Sequence, residues 1–133
     1  MNTYNDSPYQ TFKEATVGAL DGKEHHVVEL DPTNDDGVRL ATGANGSVGV
    51  LKQKLQDGPL GTGDVNVRLL GGGGTIKVVA GGAIAKWARV KSAVGGKVVV
   101  ASTGDRSIGI KKTNGTSADG DVIEIIDIQE QAP

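Results

Sequence analysis

The chain has 133 residues, 21 of them glycine, four of them aromatic and none of them cysteine, which allows one folded domain and excludes a disulfide framework, a thiolate metal site and a cysteine nucleophile. Fourteen Lys and Arg stand against 16 Asp and Glu for a net charge of −2, with both signs interspersed and no basic stripe to neutralise nucleic-acid phosphates. Rings at 3% count against sugar clefts and single-strand platforms, which stack their ligands on aromatic faces, and glycine without a Gly-X-Y period excludes collagen.

Residues 1–11 are polar, are interrupted by Pro8 and show no alternation; they read as a flexible N-terminal arm, drawn over 1–12, before a single β domain over 13–133. The beginning lacks the basic segment and apolar stretch of a secretory signal. No apolar run approaches the ~20 residues of a membrane helix. A soluble chain made in a cytoplasm is therefore expected. From Phe12 onward the signal is period two in short runs bounded by Gly, Asn and Asp, which marks strands. The runs are Lys13 to Leu20, His26 to Leu30, Val38 to Ala41, Ser47 to Leu55, Asp64 to Leu70, Thr75 to Val79, Lys97 to Ser102, Ser107 to Lys112 and Asp121 to Asp127. Turn chemistry separates them at Asp21-Gly22, Asn45-Gly46, Asp57-Gly58-Pro59, Gly71 to Gly74, Gly95-Gly96, Asn114-Gly115 and Asp119-Gly120. At most one short helix fits, over 82–89, where Ala and Lys favour it; an extended segment fits equally. The expected fold is all-β, a small sandwich or barrel-like domain.

Laid on itself, the chain repeats. Val38 to Gly43, Ser47-Val48-Gly49-Val50 and Gly63-Asp64-Val65 form one block; Val98 to Ser102, Ser107-Ile108-Gly109-Ile110 and Gly120-Asp121-Val122 form the other. The offset is about sixty residues, slightly less at the second landmark. Two repeat-like units, about 38–70 and 98–127, indicate an internal duplication, and the glycine inside each Ser-x-Gly-x run marks a bulge or a close backbone approach.

No set of residues assembles into a catalytic or metal site. His25 and His26 are adjacent, so in a strand they face opposite sides and do not chelate together. The stretch Asp31 to Asp36 lacks the glycine and the closing glutamate of a calcium loop. Gly71 to Gly74 is followed by a strand-like run, whereas a phosphate cradle needs a helix N-terminus. Ser47 and Ser107 have no base at a fixed spacing. Asn45-Gly-Ser and Asn114-Gly-Thr match glycosylation acceptors but read as turns without a secretory signal. No enzyme activity, cofactor or metal is expected.

Three of the four rings, Tyr4, Tyr9 and Phe12, lie in the first twelve residues, with Pro8 between them. Rings are favoured interface anchors, and an extended arm can add a strand to a partner's sheet; alternatively, Phe12 begins the first strand. The fourth ring, Trp87, sits among alanines, either as a core plug or as an exposed contact to an oligomer partner or another protein.

The segments Gly81-Gly82-Ala83-Ile84-Ala85-Lys86, Arg89-Val90-Lys91, Gly95-Gly96-Lys97-Val98-Val99, Gly104-Asp105-Arg106-Ser107-Ile108-Gly109-Ile110 and Ala118 to Ile125 resemble the capsid decoration, or cement, proteins of tailed phages. The likeness covers about half the chain and extends to 38–67 through the repeat; it departs at Trp87, where those proteins usually carry a small residue. The resemblance implies a structural virion protein on the outer capsid surface, with the major capsid protein as partner. It further implies a homotrimer that stabilises the expanded head, and an N-terminal arm (Tyr4, Pro8, Tyr9, Phe12) lying on the capsid. A carbohydrate- or cell-surface-binding module on the same framework is the alternative, and a small hydrolase using His25, His26 or Asp105 is a remoter one.

Overall fold

Short β-branched runs between glycine turns form ten strands and no helix among the residues that the computed structural model describes, which are 9–16, 19–20, 22–33, 37–54 and 64–131. The strands are β1 (Tyr9–Glu14), β2 (Val27–Leu30), β3 (Gly37–Leu40), β4 (Ser47–Lys54), β5 (Asp64–Leu69), β6 (Thr75–Val79), β7 (Arg89–Ser92), β8 (Val98–Val100), β9 (Arg106–Lys111) and β10 (Val122–Gln131). The first five close into a barrel in the order β1-β3-β2-β4-β5, and the last five form a sheet in the order β6-β10-β9-β7-β8.

These two orders are the same order. Matching each strand of the first half with the fifth strand after it turns β3-β2-β4-β5-β1 into β8-β7-β9-β10-β6. The registers agree residue by residue. Val28 lies opposite Gly49, and Val90 lies opposite Gly109. Gly49 lies opposite Leu69, and Gly109 opposite Asp127. The parallel pair that closes the barrel, Glu14 with Val38, reappears as the parallel bridge Ala80 with Val98. Beside them, the Ala15 N–H donates to the Val38 carbonyl at 2.9 Å and the Gly81 N–H to the Val98 carbonyl at 2.7 Å. The duplication read from the sequence is thus a whole five-strand unit, larger than the blocks that reveal it: β1 and β2 belong to the first copy, β6 and β7 to the second.

The glycine of each repeated Ser-x-Gly-x run is fixed by crowding. A Cβ on Gly49 would lie 2.7 Å from the Arg68 carbonyl oxygen and 2.5 Å from Val67 Cγ1; on Gly109 it would lie 2.6 Å from the Ile126 oxygen and 2.7 Å from Ile125 Cδ1. Neighbouring backbone occupies the space a side chain needs, twice, at the same place.

Alternation distributes the aliphatic side chains between two clusters. One, inside the barrel, contains Leu20, Val28, Val38, Leu51, Val65 and Val67, with Phe12 packed against it. The other contains Ile76, Val78, Ala80, Ile84, Val90, Val98, Ile108, Ile123 and Ile125, and it takes in Val27, Ala41 and Val50 from the first unit. The units therefore share a core, because one face of the β2–β4 sheet is buried by the second unit.

Three local expectations change. Residues 9–12, assigned with the arm, are strand β1, hydrogen-bonded along β5 from Tyr9 with Arg68 to Lys13 with Asp64. The first strand ends at Glu14 instead of running to Leu20; the Glu14 carboxylate accepts from the Leu20 N–H at 2.9 Å. Residues 89–92, given no strand by the sequence, form β7 between β9 and β8.

Candidate interaction site

The residues singled out in the sequence fall in different places. Tyr4 and Pro8 lie outside the described residues. Tyr9 opens β1, opposite Arg68, and is 44% exposed. Phe12 is half-buried against the barrel cluster, opposite Val65; its ring belongs to the core because it sits on an inward position of a paired strand. Trp87 is not a core plug: it is 62% exposed, with the Lys86 ammonium 5.0 Å from its ring centroid.

Trp87 has a counterpart. His25 and Trp87 are the two non-glycine residues with a left-handed backbone among the described residues, at φ 69° and 72°. They occupy equivalent positions in the two units. The His25 N–H donates to the Leu51 carbonyl and the Trp87 N–H to the Lys111 carbonyl, at 2.7 and 2.9 Å. The next residue returns the bond, Leu51 N–H to His26 carbonyl and Lys111 N–H to Ala88 carbonyl, at 2.9 and 3.0 Å. A left-handed conformation is uncommon for bulky side chains and persists where surrounding structure imposes it. Here two straps to the neighbouring strand impose it.

The fates of the two residues differ. The His25 carbonyl accepts from the Val79 N–H of the second unit at 3.1 Å. Its ring lines a cleft of about 200 Å³ between the units, together with Tyr9, Lys52, Arg68, Lys77 and Glu124. Burial holds the imidazole pKa below its ordinary value; the nearby Lys52 and Lys77 charges push the same way and Glu24 opposes them. Trp87, by contrast, points into solvent.

Around His25 the units are joined by directed contacts. The Val27 N–H donates to the Gly96 carbonyl at 2.6 Å, and the Gly95 N–H donates to the Ala41 carbonyl at 2.9 Å. Ser92 Oγ donates to the Gly43 carbonyl at 2.7 Å. Arg68 Nη1 donates to Asp127 Oδ2 at 2.6 Å, with side-chain exposures of 9% and 0%. Asp127 also accepts from the Gly71 and Gly73 N–H groups and from Gln129 Nε2. Arg106 reaches back to the Ser47 carbonyl at 2.9 Å.

The residues considered for chemistry are held in structural bonds. Ser47 Oγ accepts from Arg106 at 3.2 Å, and Ser107 Oγ donates to the Gly109 carbonyl at 3.2 Å. Asp105 accepts from Lys91 Nζ at 2.8 Å and from the Ser102 N–H at 2.9 Å, and these bonds hold its carboxyl below the usual range. Of the Asp31 to Asp36 stretch, 34–36 lie outside the described residues. Among the described residues no group of three or more His, Asp and Glu could hold a metal ion, and no helix is long and apolar enough to cross a membrane.

The pairing of His25 with Trp87 escaped the sequence reading. Its trace is present: His25-His26-Val27-Val28 aligns with Trp87-Ala88-Arg89-Val90. Only one valine is shared in that alignment, and without β7 there was no frame in which to place it.

No family model and no curated protein matches the chain. Its fold is similar to that of the N base of the head fibre gp8.5 of bacteriophage phi29, with a TM-score of 0.63 and 15% sequence identity. The likeness covers 94% of this chain and 97% of that one, so it takes in both units.

Proposed function

We propose that the chain is a structural virion protein that attaches to the outer surface of a phage head and stabilises the expanded capsid by holding neighbouring capsomers together. The observation that carries the reading is the likeness to the N base of a phage head fibre over nearly the whole of both chains. The resemblance of residues 81–125 to decoration proteins supports it from the sequence side. In this reading the partner is the major capsid protein, the protein acts as a homotrimer on the lattice, and it needs no cofactor and catalyses no reaction. Residues 1–8, with Tyr4 and Pro8, supply the capsid contact ahead of β1. Many copies, each adding a modest contact, make the lattice collectively resistant to internal pressure.

The experiment is occupancy on purified heads of the phage that encodes the chain, before and after expansion, for the full chain and for a chain lacking residues 1–8. Saturable binding to expanded heads, greater resistance of those heads to heat, and loss of occupancy without residues 1–8 are the expected results. Failure of the full chain to bind expanded heads would remove the capsid reading. Full occupancy without residues 1–8 would remove the arm from it.

A further inference from the structure

The second sheet keeps one strand edge open beside the first unit. We infer that the cleft along this edge, the outer side of β6, binds an extended, acidic segment of the capsid surface, which adds a strand to β6 and sets a carboxylate between Lys52 and Lys77. The inference rests on the capsid reading and states the chemistry that the partner brings to it.

β6 stands at one end of its sheet, and among the described residues β10 is its one strand neighbour. Its counterpart β1 runs on into the parallel pairing with β3 that closes the barrel, whereas β6 is followed by the single bridge from Ala80 to Val98. Main-chain groups along an antiparallel strand point alternately toward a neighbour and away from it. The Ala80 N–H donates to the Asp121 carbonyl at the start of β10, at 2.7 Å, and the Val79 N–H donates to the His25 carbonyl on the other side, at 3.1 Å. Counting back, Ile76 and Val78 bond toward β10, and Thr75 and Lys77 turn their N–H and C=O groups to the open side. The partner strand agrees, because the Glu124 carbonyl, opposite Lys77, accepts from the Lys112 N–H at 2.9 Å. Among the described residues nothing bonds the outward main chain of Thr75 or Lys77. Such an edge is a template for a further strand, and the bond from Val79 to His25 marks where that strand must end.

The charges beside the edge define the occupant. Thr75, Ile76 and Lys77 line the cleft of about 200 Å³ together with Tyr9, His25 and Lys52 of the first unit. Two other charged groups in its lining are already matched, Arg68 by Asp127 at 2.6 Å and Glu124 by Lys112 at 2.9 Å. Lys52 and Lys77 are exposed, and neither ammonium has an ion-pair partner among the described residues. Both charges are near enough to the His25 ring to help hold its pKa below the ordinary value, so the imidazole is neutral at neutral pH and adds no charge of its own. The cleft therefore presents two uncompensated positive charges, one from each unit, next to unpaired main-chain donors and acceptors. An added strand uses the main-chain groups for affinity and its side chains for specificity, and a carboxylate on it meets lysine in strong, charge-assisted hydrogen bonds. A second copy of β6 does not suit the place, because it brings its own Lys77 against this one; lysine on an edge strand discourages pairing of like edges.

The test uses the full chain and purified expanded heads of the phage that encodes it. Amide hydrogen exchange is read residue by residue by NMR, for the unbound chain and for chain quenched and released from saturated heads. In the unbound chain the Lys77 amide should exchange fast while Ile76 and Val78, laddered to β10, exchange slowly. On the heads Lys77 should slow by roughly tenfold or more, as a new ladder bond requires. Occupancy is then compared for Lys52→Gln, Lys77→Gln and Lys77→Pro, the last of which removes the outward donor and is tolerated on an edge strand. Each glutamine variant should bind several-fold more weakly and with less dependence on salt, and Lys77→Pro should bind more weakly still than Lys77→Gln. The exchange measurement is made on the unaltered chain, so it tests the added strand even where Lys77→Pro does not fold. Unchanged Lys77 exchange on occupied heads would overturn the inference and leave the capsid reading standing. Equal occupancy by folded Lys77→Pro and Lys77→Gln would do the same, as would parent-like binding of both glutamine variants. Failure of the full chain to bind expanded heads would remove the capsid reading and this inference with it.

Discussion

Arg68 and Asp127 join the two units by a charged hydrogen bond of 2.6 Å inside the protein. The pair has no counterpart within the repeat, since Arg68 aligns with Ile126 and Asp127 with Leu69. Arg68 also bonds the Leu69 and Gly73 carbonyls, while Asp127 collects the Gly71 and Gly73 N–H groups. The connection between the units is therefore wrapped around one ion pair. Removing one member strands the other in a buried site, at a cost of about 3–5 kcal/mol. Asp127→Ala is expected to lower the unfolding free energy obtained from urea melts by that amount. Replacing both by Met and Leu should cost less than Asp127→Ala alone, because no charge is left unpaired. A double variant as unstable as the single would show that the backbone bonds of the linker carry the energy instead.

Gly49 and Gly109 should respond alike to a methyl group. At each, a Cβ meets a backbone oxygen at 2.6–2.7 Å and an aliphatic side chain at 2.5–2.7 Å, and a carbonyl held in a sheet cannot move aside without breaking its ladder. Gly49→Ala and Gly109→Ala are each expected to cost about 1–3 kcal/mol by overpacking, read as denaturant midpoints. Gly82, whose added Cβ would meet nothing within 4 Å, supplies the neutral control. A near-zero effect at either crowded position would mean the strands separate there more easily than the shared register implies.

Much of this architecture was legible in the residues. The Ser-x-Gly-x runs disclosed the duplication because backbone crowding demands glycine at both copies, and alternation located eight of the ten strands. What escaped had physical reasons. β1 was hidden because Tyr9, Gln10, Thr11 and Lys13 face outward or are only half-buried, so the strand looks polar although its backbone is fully paired. β7 was hidden because four residues, Arg89–Ser92, are too few to display a period against the alanine-rich run before them. The sequence leaves Trp87 open between core and surface, because its exposure depends on the face that the second unit turns outward, and spacing along the chain says nothing of that.

The paired backbone of β1 divides the N-terminal segment into two parts of different character. Removing residues 1–8 leaves the β1–β5 ladder, from Tyr9 with Arg68 to Lys13 with Asp64, intact, so thermal stability should be essentially unchanged. Removing residues 1–12 takes away four of those five pairs and the Phe12 ring, and opens the barrel between β5 and β3. Loss of a half-buried phenylalanine alone approaches the 3–5 kcal/mol of a core Phe→Ala change at its upper limit, and the exposed edges of β3 and β5 invite aggregation. A melting curve comparing the two truncations checks this: a small shift for the first and a lowered, less cooperative transition for the second are expected. Equal stability of both would show that β1 closes the barrel without supporting it.

Acid should weaken the fold in two separable steps. Folding depresses the His25 pKa below its ordinary 6.5, through burial first and then the Lys52 and Lys77 charges. The folded state thus binds fewer protons than the unfolded state in this range; the contribution is complete above about pH 6.5 and is lost as pH falls through the folded value. Glu29 acts lower. Burial raises its pKa, but the Thr42 N–H at 2.8 Å and Arg39 Nε at 2.9 Å outweigh burial and hold it below 4.5. Its contribution is present above about pH 4.5 and disappears as pH drops through the folded pKa. Denaturant midpoints followed from about pH 8 downward should therefore decline first below about 6.5 and again below about 4.5. His25→Asn, which tolerates the left-handed backbone, should flatten the first decline and leave the second. Glu29→Gln should do the reverse, at a constant cost of roughly 1.5–3 kcal/mol at neutral pH for its charged hydrogen bonds. If the upper decline survives in His25→Asn, the cleft between the units is open enough for water to solvate a charged imidazole, and the first step belongs to another group.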